Sequence, residues 1–536
     1  MRGLEIICLA LVLAAAGCQQ RSQQASTPAS PAATSPATSS GAAPPGIDWF
    51  DGGLDAAFIA AAVQHKPVFL YWGAEWCPPC HDLKAHVFSR RDFQQKLRQF
   101  IPVFLDGDAP GAQRSAGEFK VLGYPTVVVL RADRTEIARI AGGMDLASYA
   151  DVLDLALEGV RPLPEVLAAL RGDASRQLTP DDCRRLAYNG WLLDPLADED
   201  PASLIATLQL AAQRCPAAAR DERDRLHVTA AGLAATQERA AIEKGGKPSA
   251  RLRSLLDSVQ ALLADRERSL GMADALLDIG DDFFIVARHA DPAHRTQLRD
   301  HWFAVMDALE ADARYSDTLR LMSAAGRLSA AKVLDEKQEI PAAVAARARR
   351  TLDAFMARNY DADARSGIVN SASWVLSLLG DDAGLRKLLE GEIRTSKTAF
   401  YYMPDLADLD EKAGHPDEAL MWLERAYRES RGPATRFQWG ALYVNGLLRM
   451  APQDEPRIRA ASLAVIGELD GADRIHARAK TRLDRLHDSL RNWAKQTRHP
   501  ETLSAIAKRW NSICASLAAS DPASRECPQL MSAGGA

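Results

Sequence analysis

A six-residue apolar run, Pro67-Val68-Phe69-Leu70-Tyr71-Trp72, leads almost directly into the hexapeptide Trp76-Cys77-Pro78-Pro79-Cys80-His81. Consecutive apolar positions suit a strand buried on both faces. A residue that precedes a proline avoids the helical region, and prolines in a first helical turn lose little by lacking an N–H. Cys77 therefore suits an N-cap, with Pro78 and Pro79 behind it. The pattern predicts a buried strand, a short loop and a helix that opens on two thiols able to cycle with a disulfide. The same residues also spell Cys-x-x-Cys-His, the attachment pattern of a c-type haem.

Around this motif the segments alternate from Ile47 to about residue 160. Leu54 to Gln64 reads as an Ala-rich helix, and Cys80 to about Phe100 as an amphipathic helix broken near Ser89. Ile101 to Leu105 follows as a second strand and Gln113 to Lys120 as a helix. Val127 to Leu130 and Glu136 to Ile140 form an antiparallel pair around the turn Arg131-Ala132-Asp133-Arg134, and Asp145 to Leu157 closes with a helix. The expected class is α/β, a mixed sheet with flanking helices.

Strand, Cys pair and Gly123-Tyr124-Pro125-Thr126 stand in an order that resembles the thioredoxin superfamily, and most its periplasmic thiol:disulfide interchange branch, in which a Lys-Pro-Val strand leads into Trp-Cys-x-x-Cys. The resemblance covers residues 47–160, about a fifth of the chain. It implies that Cys77 and Cys80 are catalytic and that Pro125 is the family's cis-proline, packed beside the disulfide. It also implies that Trp76, Tyr124 and Pro125 contact substrate, Pro125 exposing a backbone edge to the substrate chain. That order disfavours haem, which needs a second axial ligand and an apolar pocket. Zinc is disfavoured because only two thiolates cluster. No cofactor is expected, and His81 is read as a solvent-side residue without a catalytic role.

At the N-cap, Cys77 should be exposed, with Cys80 tucked behind it. The helix N-terminus favours a Cys77 thiolate that attacks a substrate disulfide, and Cys80 resolves the mixed disulfide. With two prolines in the first turn, the nearest helical donor left for the Cys77 sulfur is the Cys80 amide. Its thiolate is then weakly stabilised, which favours a reductant or electron relay over a strong oxidase. Thioredoxins commonly carry a buried Asp six residues before the first Cys; Tyr71 stands there. Proton handling at Cys80 then falls to water or to another group, Glu75 and Asp106 being the carboxylates near in sequence.

The N-terminus speaks for export. Arg2, the apolar stretch Ile6 to Ala16 and the small residues before Cys18 have the order of a signal peptide over residues 1–18. Ala15-Ala16-Gly17-Cys18 resembles a bacterial lipobox, with Ala15 where Leu is usual. Lipidation of Cys18 is expected, an ordinary signal peptide with an incidental Cys being the alternative. Gln19 after Cys18 matches the pattern of lipoproteins sorted to the outer membrane. Residues 19–46 are almost wholly Ser, Thr, Pro, Ala, Gly and Gln and read as a disordered tether. Besides Cys8 and Cys18, six cysteines fall into the sequence-local pairs Cys77 with Cys80, Cys183 with Cys215 and Cys514 with Cys527. Structural disulfides are the simplest reading of the last two pairs, although spacing alone leaves connectivity open.

From residue 161 to 536 the apolar spacing is of three and four with no convincing strand, an all-helical region. In Met403 to Arg431, the residues Leu406, Gly414, Ala419 and Ala426 sit at the spacings of the tetratricopeptide repeat, and Gly380 lies one 34-residue period before Gly414. A helical-repeat array, or α-solenoid, is expected. Phe400, Tyr401, Tyr402 and Trp422 read as core rather than as the lining of a groove. A net charge of −5 over 536 residues, with no dense Lys/Arg block, excludes nucleic acid and leaves only a lipid anchor for membrane contact. The functional expectation is a tethered periplasmic enzyme that exchanges thiols with protein disulfides, supplied by an upstream thiol:disulfide donor. The alternative is a helical scaffold or chaperone-like binding module with a secondary redox domain.

Overall fold

The computed structural model describes residues 43–109, 111–141, 146–158, 161–172, 177–191, 194, 200–290, 292–335, 337–471, 477–517 and 527. The expected leader, Cys18 and most of the expected tether lie outside them. Two compact units are present, 41–105 with 120–388 and 106–119 with 389–536. Among the described residues no helix is long and apolar enough to cross a membrane.

The α/β part runs α1 (Leu54–Gln64), β1 (Val68–Gly73), α2 (Pro78–Leu83), a π turn (Lys84–Phe88), α3 (Arg91–Leu97), β2 (Ile101–Asp106), α4 (Ala112–Glu118), β3 (Thr126–Leu130), β4 (Glu136–Ala141) and α5 (Leu146–Leu157). The four strands form one mixed sheet in the order β2-β1-β3-β4. Every residue of β1 is buried, which is why its sequence shows no alternation. β1 and β3 pair antiparallel with Trp72 opposite Thr126, and β3 returns antiparallel into β4. This register sets Pro125, which directly precedes Thr126, level with the C-terminal end of β1, where the Cys loop begins. Phe69 and Tyr71 enter an aromatic core with Phe88, Phe93 and Phe100. Tyr71 meets Phe88 edge-on at 4.9 Å and stacks on Phe104 at 5.5 Å. Each such fully buried side chain contributes about 1.5–3 kcal/mol.

The long helix expected over Cys80 to Phe100 is three pieces. The break falls at Ser89 and Arg90, as the sequence suggests, but the turn before it is π rather than α. Sequence periodicity does not reveal a single widened turn.

The remainder is helical. In the first unit, helices from Leu163–Gly172 onward pack around Trp302, which is fully buried and donates its indole N–H to the Gly326 carbonyl at 3.1 Å. Gly326 lets that contact form, since a Cβ there would lie 2.9 Å from the Met306 sulfur. Cys183, on helix Pro180–Ala187, and Cys215, at the end of helix Pro201–Arg214, form a disulfide with Cα atoms 5.8 Å apart. Thr179 and Asp182 close a capping box over the first of these helices.

In the second unit, helices Met403–Lys412 and Pro416–Glu429 pack together through fully buried Leu406, Ala419 and Ala426, turning at Gly414, whose φ is +82°. Phe400 and Tyr402 are buried and Trp422 packs partly buried on the core, so these aromatics are core. Cys514 and Cys527 are disulfide-bonded, and Trp510 donates to the Cys527 carbonyl at 2.8 Å.

Candidate functional site: the Cys77–Cys80 helix

β1 ends at Gly73, and a Cβ there would stand 2.5 Å from the Tyr71 hydroxyl, so the chain leaves the strand at a residue that must be small. Four residues on, Cys77 takes extended φ/ψ (−91°, 107°) as the N-cap of α2, with Pro78 and Pro79 in the first turn. Its sulfur accepts a hydrogen bond from the Cys80 amide at 3.3 Å. Cys77 and Cys80 form a disulfide.

The Tyr124–Pro125 peptide is cis. The Trp76 and Tyr124 rings meet edge-on, with centroids 6.3 Å apart. The structure thus brings Trp76, Cys77, Cys80, Tyr124 and Pro125 to one end of the β1–β3 pair. Asp106 is buried, its Oδ1 accepting from the Asp108 amide at 3.0 Å, and the Glu75 side chain is exposed.

Two expectations need correction. Cys77 is only 3% exposed, against the exposed nucleophile read from an isolated helix end, and Cys80 is fully buried. His81 is not a solvent-side residue: its side chain is 16% exposed and both ring nitrogens are engaged. Nδ1 bonds Asp363, and Nε2 bonds the Glu75 carbonyl at 2.6 Å. The engagement of His81 comes from the helix Ala362–Leu379, which packs on α2 and the π turn. Gly367 makes that approach close, since a Cβ there would stand 2.7 Å from Thr318 Oγ1 and 3.1 Å from Asp82 Oδ1. Asp363 lies 282 residues from His81. No local signal in the sequence connects them.

The seam is charged. The His81 hydrogen bond holds the Asp363 carboxyl below the usual carboxylate range, against a partial burial that raises it. One turn further on, His86 Nδ1 lies 3.0 Å from Asp82 Oδ1. Burial opposes the charged form of His86, yet the hydrogen bond and charge of Asp82, with a smaller contribution from Asp317, raise its pKa above the ordinary imidazole value.

With strand, cis-proline and Cys helix placed, residues 54–157 match the family described as a thioredoxin-like domain. This segment is a thioredoxin-like domain. It is similar to part of the "Thiol:disulfide interchange protein DsbD" of Yersinia pestis, 33% identical over 95 residues that make up 17% of this chain and 16% of that protein. The protein of the same name from Klebsiella pneumoniae is 33% identical over 101 residues, 18% of this chain and 17% of the relative. That from Salmonella typhi is 33% identical over 94 residues, 17% of each. The chain thus spans about a sixth of the length of these relatives, and the likeness is confined to the thioredoxin-like domain.

Proposed function

We propose that the chain is a thiol:disulfide oxidoreductase that exchanges electrons with protein disulfides through Cys77 and Cys80. The observation that carries this reading is the Cys77–Cys80 disulfide at a helix N-cap, level with a cis-proline loop. The thioredoxin-like domain and the interchange proteins that share it lend it support. Cys77 is the attacking thiolate, Cys80 the resolving thiol, and Trp76, Tyr124 and Pro125 the substrate-contacting edge. Because Pro78 and Pro79 leave the Cys80 amide as the donor to the Cys77 sulfur, the couple works as a reductant or relay fed by an upstream dithiol. Export, a lipid anchor at Cys18, residues 47–160 as the redox domain and 161–536 as a tetratricopeptide-repeat-like substrate selector complete the proposal.

Insulin-disulfide reduction by the full chain, with Cys77→Ala as control, tests it. Turnover that survives Cys77→Ala, or a Cys80→Ala variant that traps no mixed disulfide, would overturn it. The near-complete burial of Cys77 favours a second reading, a helical scaffold in which the domain mainly binds. Absence of turnover in the parent would select that reading.

A further inference from the structure

His81 lies four residues after the N-cap Cys77, within α2, and its backbone amide donates to the Cys77 carbonyl at 3.1 Å. Its ring does not lie along the helix; it reaches back to the carbonyl of Glu75, two residues before Cys77. The imidazole therefore spans the stretch of chain that presents the Cys77 sulfur. Both of its partners, the Asp363 carboxylate and the Glu75 carbonyl, are oxygen acceptors. A ring that keeps both bonds presents N–H at both nitrogens and carries positive charge. The ring thus stands between the Asp363 carboxylate, at Nδ1, and the Glu75 carbonyl of the Cys loop, at Nε2.

We propose that Asp363 is a positioning residue for the dithiol: through its bond to His81 it holds a charged imidazole beside Cys77, and so sets the thiolate population and reduction potential of the Cys77/Cys80 couple. The inference rests on the reading of Cys77 and Cys80 as a dithiol that exchanges. A reducing protein dithiol, one sulfur as thiolate and one as thiol, delivers two electrons and one proton. The Cys77–Cys80 bond breaks, Cys77 leaves as thiolate, Cys80 takes the proton, and the donor closes its own disulfide. The new negative charge appears on Cys77, where His81 opposes it. The residue thus offsets part of what the two prolines withhold, and a side chain from the helical region enters the electrostatics of the redox site. The other charged groups along the seam are Asp82, Lys84 and His86 on the redox helix and its π turn, Asp317 on the facing helix Asp317–Leu334, and the exposed Glu75.

The test uses the full chain. Cys77 is titrated by thiolate absorbance in a Cys80→Ser background, and the potential is read in glutathione buffers with both cysteines present. His81→Gln removes the cation and leaves the anion, and is expected to cut the thiolate fraction at neutral pH about tenfold and make the couple more reducing. Asp363→Asn is expected to cut it about threefold, and Asp363→Glu to restore it. An unchanged Cys77 titration in His81→Gln, or an increased thiolate fraction in Asp363→Asn, would overturn the proposal. A merely structural Asp363 would lower the melting temperature without moving the titration, which also overturns it. Insulin reduction by the parent is measured alongside: its absence defeats the oxidoreductase reading, whereas its presence with unmoved titrations defeats only the role of Asp363.

Discussion

Two disulfides of the first unit differ in what they connect. Cys77–Cys80 closes a loop three residues long within the first turn of one helix, whereas Cys183–Cys215 ties two helices across 32 residues. Both are buried. In the chain-entropy account a 32-residue closure stabilises the fold by about 3–4 kcal/mol, and a closure within one turn by much less, because so short a segment has little freedom to lose. The difference separates a bond that holds structure from one that can open and close at little cost to the fold. Burial alone does not distinguish them.

Breaking each bond in turn tests that contrast. Cys77→Ala is expected to lower insulin reduction by about two orders of magnitude or more while leaving the melting temperature near that of the parent. A comparable loss of stability would erase the distinction. Replacing Cys183 and Cys215 together by Ser is expected to remove about 3–4 kcal/mol in denaturant titration and to leave the exchange rate of the folded protein intact.

A smaller effect sharpens the reactive side. Pro78→Gly supplies an N–H in the first turn and is expected to lower the Cys77 thiol pKa by about half a unit to one unit in absorbance titration. An unchanged or higher value would remove the argument from the double proline.

The smallest effect concerns the seam beside the reactive bond. Asp363 titrates lower in the fold, so its contribution is present above about pH 4 and is lost as the pH falls through its folded value. His86 titrates higher in the fold, so its contribution is full below about pH 6.5 and is lost as the pH rises through its folded value. The protection factors of amide hydrogens in helix Ala362–Leu379 are expected to be highest between those limits and lower on either side. A pH-independent protection would show that neither pair holds the seam.

How much of this was legible in the sequence follows from the range of each interaction. The buried strand, the N-cap at Cys77 and the break at Ser89 are written in neighbouring residues: consecutive apolar positions, two prolines and a helical pattern that stops. Pro125 was placed by its order after the Cys pair and by resemblance. The π turn escaped because one widened turn leaves the apolar spacing almost intact. The burial of Cys77 and the engagement of His81 escaped for another reason. The engagement of His81 depends on Asp363, hundreds of residues away, on a helix whose own sequence speaks only of amphipathic packing, and the burial of Cys77 is a tertiary property that no neighbouring residue announces. In the helical remainder the pairing of Leu406 with Ala419 and Ala426 could be read from spacing, whereas the charged pair of Arg225 with Asp274, with N–O distances of 3.0 and 2.5 Å, could not.

Gly367 offers a mechanical consequence. An alanine in the middle of a helix is ordinarily favoured over glycine by about 1 kcal/mol. Here a single methyl group would act as a wedge, since Thr318 of helix Asp317–Leu334 and Asp82 of the redox helix share the space it needs. Gly367→Ala alters no titrating group and no sulfur, so it offers a way to pry the two elements apart by steric force and ask what the helical region does for the dithiol when it is merely nearby.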